Sequence, residues 1–187
     1  MKKLPLTIQT FSEIRDKTKN YVYIDKTPYI YKMITGTKAN FFARPRRFGK
    51  SMTLSTIMSI YLGEKEHFEG LWIEDKWDWS KKHPIIYITF NNMAYNDLGV
   101  PADLMILLKD TAKKYGIVLE KDSYVLAFKE LIEKMHETHG KVVVLIDEYD
   151  KPINDYLEKG QLHIAEQNRE HLRSFYGVIK ADRKSVV

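Results

Sequence analysis

The chain has 187 residues, with 30 Lys and Arg against 25 Asp and Glu, a net charge of +5 and no cysteine. That composition excludes disulfides and thiolate metal sites. The longest aliphatic run, residues 142–146, is far short of a membrane span, and Leu4-Pro5-Leu6-Thr7-Ile8-Gln9 gives no sustained apolar region for a signal peptide. With 44% hydrophobic and 29% charged residues, one substantial core in a cytoplasmic globular α/β domain is expected.

Residues 9–34 read as a lead-in: a helix from Phe11 to about Asp16, an extended Tyr21-Val22-Tyr23-Ile24, and a helix from about Pro28. The apolar stretch over residues 39–43 predicts a first core strand. It feeds Arg44-Pro45-Arg46-Arg47-Phe48-Gly49-Lys50-Ser51, a tight cationic turn before a helix. Strand, turn and helix in that order aim the unpaired N–H groups and the positive dipole end of the helix at one spot. Gly49 allows close backbone approach and a positive φ. Lys50 would reach phosphate oxygens, and the Ser51 hydroxyl would sit on Mg²⁺. The usual phosphate-loop pattern, G-x-x-x-x-G-K-[ST], has glycine where this chain has Arg44. Pro45 pre-forms the bend, and Arg46 and Arg47 add charge suited to phosphate. The same residues also read as a plain helix start behind a basic surface turn.

The helix from Lys50 to about Leu62 carries Leu54, Ile57, Met58 and Tyr61 on one stripe, the spacing of a core-facing helix. Trp72, Trp77 and Trp79 with interleaved acids predict an irregular, partly buried connection, read as core packing before an aromatic binding surface. Pro84-Ile85-Ile86-Tyr87-Ile88-Thr89-Phe90 predicts a second strand, ended by Asn91 and Asn92. Pro101 opens a helix to about Tyr115, closed by Gly116, and Asp122-Ser123 caps another that ends at Gly140.

Lys141-Val142-Val143-Val144-Leu145-Ile146-Asp147-Glu148 is an apolar run ending in two acids, which suits a strand of a parallel sheet buried on both faces. Open α/β sheets bind ligands at the carboxyl ends of such strands. Asp147 would hold Mg²⁺ and Glu148 would orient or deprotonate an attacking water. The plainer alternative is a buried strand whose end meets solvent. Pro152 is expected to break the backbone, and a last long helix over about 161–181 turns Ala165, Leu172, Phe175, Tyr176 and Ile179 inward. Strands alternating with helices imply parallel pairing through crossovers. The six histidines are scattered; His136 and His139, three apart near a helix end, read as surface. The positive balance belongs partly to the loop and partly to Arg169, Arg173, Lys180, Arg183 and Lys184, a solvated surface more readily than a nucleic-acid footprint.

Taken together, Arg44-Pro45-Arg46-Arg47-Phe48-Gly49-Lys50-Ser51 and Val144-Leu145-Ile146-Asp147-Glu148-Tyr149-Asp150 resemble the AAA-ATPase-like family of microbial proteins. Leu4-Pro5-Leu6, Phe11, Tyr23-Ile24-Asp25-Lys26-Thr27 and Phe175-Tyr176-Gly177-Val178-Ile179-Lys180 are similar to it as well. The resemblance covers nearly the whole chain, and arginine at the first loop glycine is familiar in it.

What the resemblance implies is a P-loop NTPase, a three-layer α/β sandwich with a parallel sheet ordered 5-1-4-3-2. Residues 1–38 would be the family's lead-in and 39–187 a partial core that lacks the central fourth strand and later elements. ATP and Mg²⁺ are the implied cofactors. The nucleotide would lie against Arg44, Pro45, Arg46, Arg47, Phe48, Gly49, Lys50, Ser51 and Met52 (Walker A), with Ser51 and Asp147 on the metal and Lys50 and Glu148 (Walker B) catalytic. Asp25 and Lys26 are hinted to approach the nucleotide, but a surface turn explains them equally. Asp150 could assist the metal or simply begin a turn. Hydrolysis would drive a process related to nucleic acid, through the nuclease-like carboxy-terminal domain that many members carry; an oligomer is compatible. Alternatives are a non-hydrolysing nucleotide-binding switch or remnant and a basic nucleic-acid-binding module. The 187 residues alone are expected to be unstable or to use a substitute strand, and to hydrolyse ATP poorly.

Overall fold

The computed structural model describes every residue except Met1, Thr7, Lys38, Arg44, Pro45, Arg46, Arg47, Asp182, Arg183 and Lys184, and only the backbone of Asn92. The first half of the expected phosphate loop, Arg44 to Arg47, therefore lies outside the described residues. The chain divides into two compact units, Met1–Ile85 and Ile86–Val187. No helix among the described residues is long and apolar enough to cross a membrane.

The first unit holds α1 (Phe11–Ile14), α2 (Thr27–Gly36) and α3 (Lys50–Leu62), then a 3₁₀ turn over Lys65–Phe68. Its core gathers Phe11, Ile30, Ile57, Ile60, Phe68 and Ile73, all buried. The Phe11 N–H donates to Ser55 Oγ at 2.8 Å, which ties α1 to α3. Trp77 and Trp79 pack as expected, Trp77 edge-on to Tyr61 and Trp79 against Phe68. Trp72 is exposed on one side and meets Tyr31 edge-on.

Two expectations for this unit are corrected. Residues 39–43 form no strand; they run as irregular chain, with Phe41 exposed. A strand exists only where a neighbour supplies ladder partners, and no described ladder includes these residues. The α3 stripe is also different, with Leu54 and Met58 half-buried while Thr56, Ile57, Ser59, Ile60 and Tyr61 are buried. That helix packs against both α1 and the 3₁₀ turn, so burial wraps around it rather than following one line.

The second unit is α/β. Strand β1 (Ile85–Thr89, whose first residue belongs to the first unit) pairs with β2 (Val143–Asp147) in a two-stranded parallel sheet. Between them run α4 (Tyr95–Leu98), α5 (Val100–Lys114) and α6 (Tyr124–His139); after β2 come α7 (Lys151–Glu158) and α8 (Leu162–Ala181). Pro101 in the first turn of α5 and positive-φ Gly116 and Gly140 after α5 and α6 match the signals read from sequence. Ile86 and Ile88 of β1 with Phe90 just after it, and Val144 and Ile146 of β2 with Val142 just before it, face a core completed by Leu104, Leu108, Phe128, Leu131, Leu172 and Phe175. Strand alternation leaves Tyr87 and Asp147 on the other face.

Pro152 does not break the chain. It occupies the first turn of α7, where its missing N–H costs nothing and its fixed φ suits a helix start. After α8, Val186 forms an isolated parallel bridge with Val142, outside the two-stranded sheet. Val142 N–H donates to the Ser185 carbonyl at 2.8 Å, and Val187 N–H donates to the Val142 carbonyl at 3.0 Å.

Candidate functional site

In the first unit, Gly49 precedes α3 with φ 76° and ψ 29°, in the left-handed region. A Cβ there would meet nothing within 4 Å, so glycine is required by backbone conformation rather than by space. Among the described residues, no side chain caps α3. The first N–H groups of the helix, those of Lys50, Ser51 and Met52, therefore have no intrahelical acceptor. Thr53 N–H and Oγ1 both donate to the Gly49 carbonyl, each at 2.9 Å, and fix the turn from below. Lys50 and Ser51 are half-buried and Phe48 is exposed.

The second unit carries the acid pair at the carboxyl end of β2. Asp147 is 4% exposed. Its Oδ1 accepts the Glu148 N–H at 3.0 Å, and the Tyr87 hydroxyl donates to Oδ2 across a long 3.5 Å. Burial, together with the neighbouring Asp147 charge, pushes the Tyr87 hydroxyl up to about 12, so it is protonated and able to donate. Glu148 has φ 51°, a left-handed conformation that an L-residue with a side chain adopts only at a cost of about 1–2 kcal/mol. Its carbonyl accepts the Lys151 N–H at 3.0 Å, closing the turn into α7. Among the described residues, no three His, Cys, Asp or Glu side chains group as a metal cage.

A family model described as "Predicted AAA-ATPase" matches residues 5–187. The chain belongs to this AAA-ATPase-like family. It is also similar to the "Uncharacterized protein in vnfD 5'region" of Azotobacter chroococcum mcd 1, 40% identical over 181 residues. That alignment takes in 96% of this chain and 34% of the relative, so the chain spans about a third of the length of the protein it matches. No solved structure matches.

The family's opening motif has a structural explanation in this chain. Asp25 Oδ1 accepts the Thr27 N–H at 2.8 Å and the Thr27 hydroxyl at 2.7 Å, while Oδ2 accepts the Trp72 N–H at 2.8 Å. Asp25 thus builds the entry to α2 and fastens the Trp-rich connection to it. Lys26 is exposed, and its carbonyl accepts the N–H groups of Tyr29 and Ile30 at the start of α2. Asp150 is the residue before α7, and its Oδ2 accepts Asn154 Nδ2 at 3.0 Å. All three begin helices.

Sequence reasoning missed Tyr87 as a neighbour of Asp147, although the period of β1 puts it on the face opposite the core. It also missed a part-buried trio of Tyr95, Lys151 and Asp155. The Tyr95 hydroxyl donates to Asp155 Oδ2 at 2.6 Å, and Lys151 Nζ reaches the same oxygen at 2.5 Å. Burial first, then the bond to Asp155, pushes the Tyr95 hydroxyl up to about 12.

Proposed function

We propose that this chain is the nucleotide-handling part of a P-loop ATPase, binding ATP with Mg²⁺ and, in the intact protein, hydrolysing it. The observation that carries the reading is the turn at the end of β2. A buried aspartate ends a parallel strand, and the glutamate after it is held at a positive φ. Costly backbone of this kind persists where surrounding structure enforces it, and it clusters at functional sites. The left-handed start of α3, without a side-chain cap among the described residues, supports the same reading, since the positive end of a helix suits an anion better than a neutral ligand.

The residues fit the implied metal. Asp147 of the second unit offers hard carboxylate oxygen and Ser51 of the first a hydroxyl, donor types that Mg²⁺ takes beside waters and substrate phosphates. A Mg²⁺ held by such groups would offset negative charge on the bound phosphates. Lys50 would bind phosphate as a point charge, and the N–H groups of Lys50, Ser51 and Met52 would orient it. The Glu148 carboxylate would hold the attacking water and take its proton. Arg44, Pro45, Arg46, Arg47 and Phe48 would complete the phosphate contacts.

Thermal unfolding with Mg·ATP against Mg²⁺ alone tests the reading. Ligand at about a hundred times its Kd stabilises by about 2.7 kcal/mol, a rise of several degrees, and Lys50→Ala should abolish the rise. No rise for the unsubstituted protein would end the proposal. A second reading, nucleotide binding without turnover by these 187 residues, is favoured by residues 39–43, which supply no strand base to the loop. Mg·ATP binding with turnover indifferent to Glu148→Gln would select it.

A further inference from the structure

Helix α8 lies outside the motifs that handle nucleotide, yet two of its side chains grip the backbone that carries Glu148. The Tyr176 hydroxyl donates to the Tyr149 carbonyl at 3.2 Å, and Asn168 Nδ2 donates to the Pro152 carbonyl at 2.7 Å in a buried contact. The two residues are eight apart in α8. At 100° per residue they lie within about 80° of each other around the helix and about 12 Å apart along it. One face of α8 therefore holds the chain at two points, one directly after Glu148 and one inside the first turn of α7.

The helix has a firm seat from which to do this. Ala165, Leu172 and Phe175 are buried, and Phe175 stacks on Phe128 of α6 with ring centroids 4.2 Å apart. Among the described residues, Glu148 itself has only local hydrogen bonds, its N–H donating to Asp147 Oδ1 and its carbonyl accepting the Lys151 N–H. Those two bonds alone leave the residue able to relax to a negative φ, which would swing its carboxylate away. Fixing the Tyr149 and Pro152 carbonyls from α8 blocks that relaxation.

We propose that Tyr176 and Asn168 are positioning residues for Glu148: by holding the carbonyls of Tyr149 and Pro152 to α8 they keep Glu148 in the left-handed conformation that places its carboxylate. This role rests on the ATPase reading above. Tyr176 acts through the backbone and touches no reacting atom. Losing its hydrogen bond should lower kcat and spare KM, because the nucleotide is bound by other residues. A displacement of 1 Å at a reacting group costs on the order of a hundredfold, and a partly loosened turn, with Asn168 still in place, roughly tenfold.

The test is Tyr176→Phe, which keeps the ring and removes the hydroxyl, compared with unsubstituted protein, Glu148→Gln and the double variant. ATP turnover and KM are measured alongside amide hydrogen exchange at Lys151, whose N–H closes the turn. The expected result is a roughly tenfold lower kcat at unchanged KM, faster exchange at Lys151, and no further loss when Tyr176→Phe is added to Glu148→Gln. Wild-type turnover by Tyr176→Phe, with Glu148→Gln inactive, overturns the positioning role and leaves the ATPase reading standing. An unsubstituted rate no higher than that of Glu148→Gln, both measured in the intact protein, removes the ATPase reading, and the positioning role with it.

Discussion

Replacing Glu148 with glycine should make the protein more stable while ending its turnover. At φ 51°, an L-residue carries a steric cost of about 1–2 kcal/mol between Cβ and carbonyl oxygen. Glycine carries none of it, but its freer unfolded chain costs about 0.4–1 kcal/mol. The difference leaves a net gain of about 1 kcal/mol. For a chain of this length that is a rise of roughly 2–4 °C in Tm. The proper reference is Glu148→Ala, which removes the same carboxylate but keeps Cβ, so the Gly–Ala difference isolates the backbone. Both variants are compared by urea unfolding, where the midpoint should shift without a change in slope. A Gly variant no more stable than the Ala variant would refute the claim that Glu148 is held against its backbone preference.

Asp25→Ala removes a carboxylate that accepts three hydrogen bonds at the entry to α2; stability should fall by about 1–3 kcal/mol, while the affinity for Mg·ATP, measured by calorimetry, stays as it was. The Tyr95 hydroxyl, held near 12 in the folded protein against about 10 in an unfolded chain, binds its proton more tightly when folded. Its contribution is present below pH 10 and is lost as pH rises towards 12. Unfolding free energies taken across that window should fall with pH, and less steeply for Tyr95→Phe; equal slopes would contradict the assignment.

Much of this arrangement was legible in the residues. Gly49 opens α3, Gly116 closes α5 and Gly140 ends α6, because these positions ask for positive φ that other residues resist, while Pro101 suits the first turn of α5. The run Val143–Asp147 announced a buried strand with an acid at its carboxyl end. The stretch 39–43 was misleading because a strand is a property of a pair, and a short apolar run does not name the partner. Pro152 was ambiguous, since the same residue that ends one helix starts another; only the bonds of Ile153 and Asn154 N–H to the Asp150 carbonyl decide it. The left-handed φ of Glu148 had no signal, as no glycine or asparagine marks it. Tyr176 was legible as an inward residue of α8, but the carbonyl its hydroxyl reaches lies 27 residues earlier in the chain, a relation that periodicity along one helix does not contain.

The most direct measurement is Mg²⁺-dependent ATP turnover of Glu148→Gln beside the unsubstituted sequence, both in the intact protein, with ATP affinity determined on the same samples. Glutamine keeps the size and hydrogen bonding of the side chain but cannot take a proton from water. The account predicts turnover lower by at least about a hundredfold with ATP affinity unchanged. Equal turnover in the two proteins, or loss of ATP binding on the glutamine substitution, would contradict it.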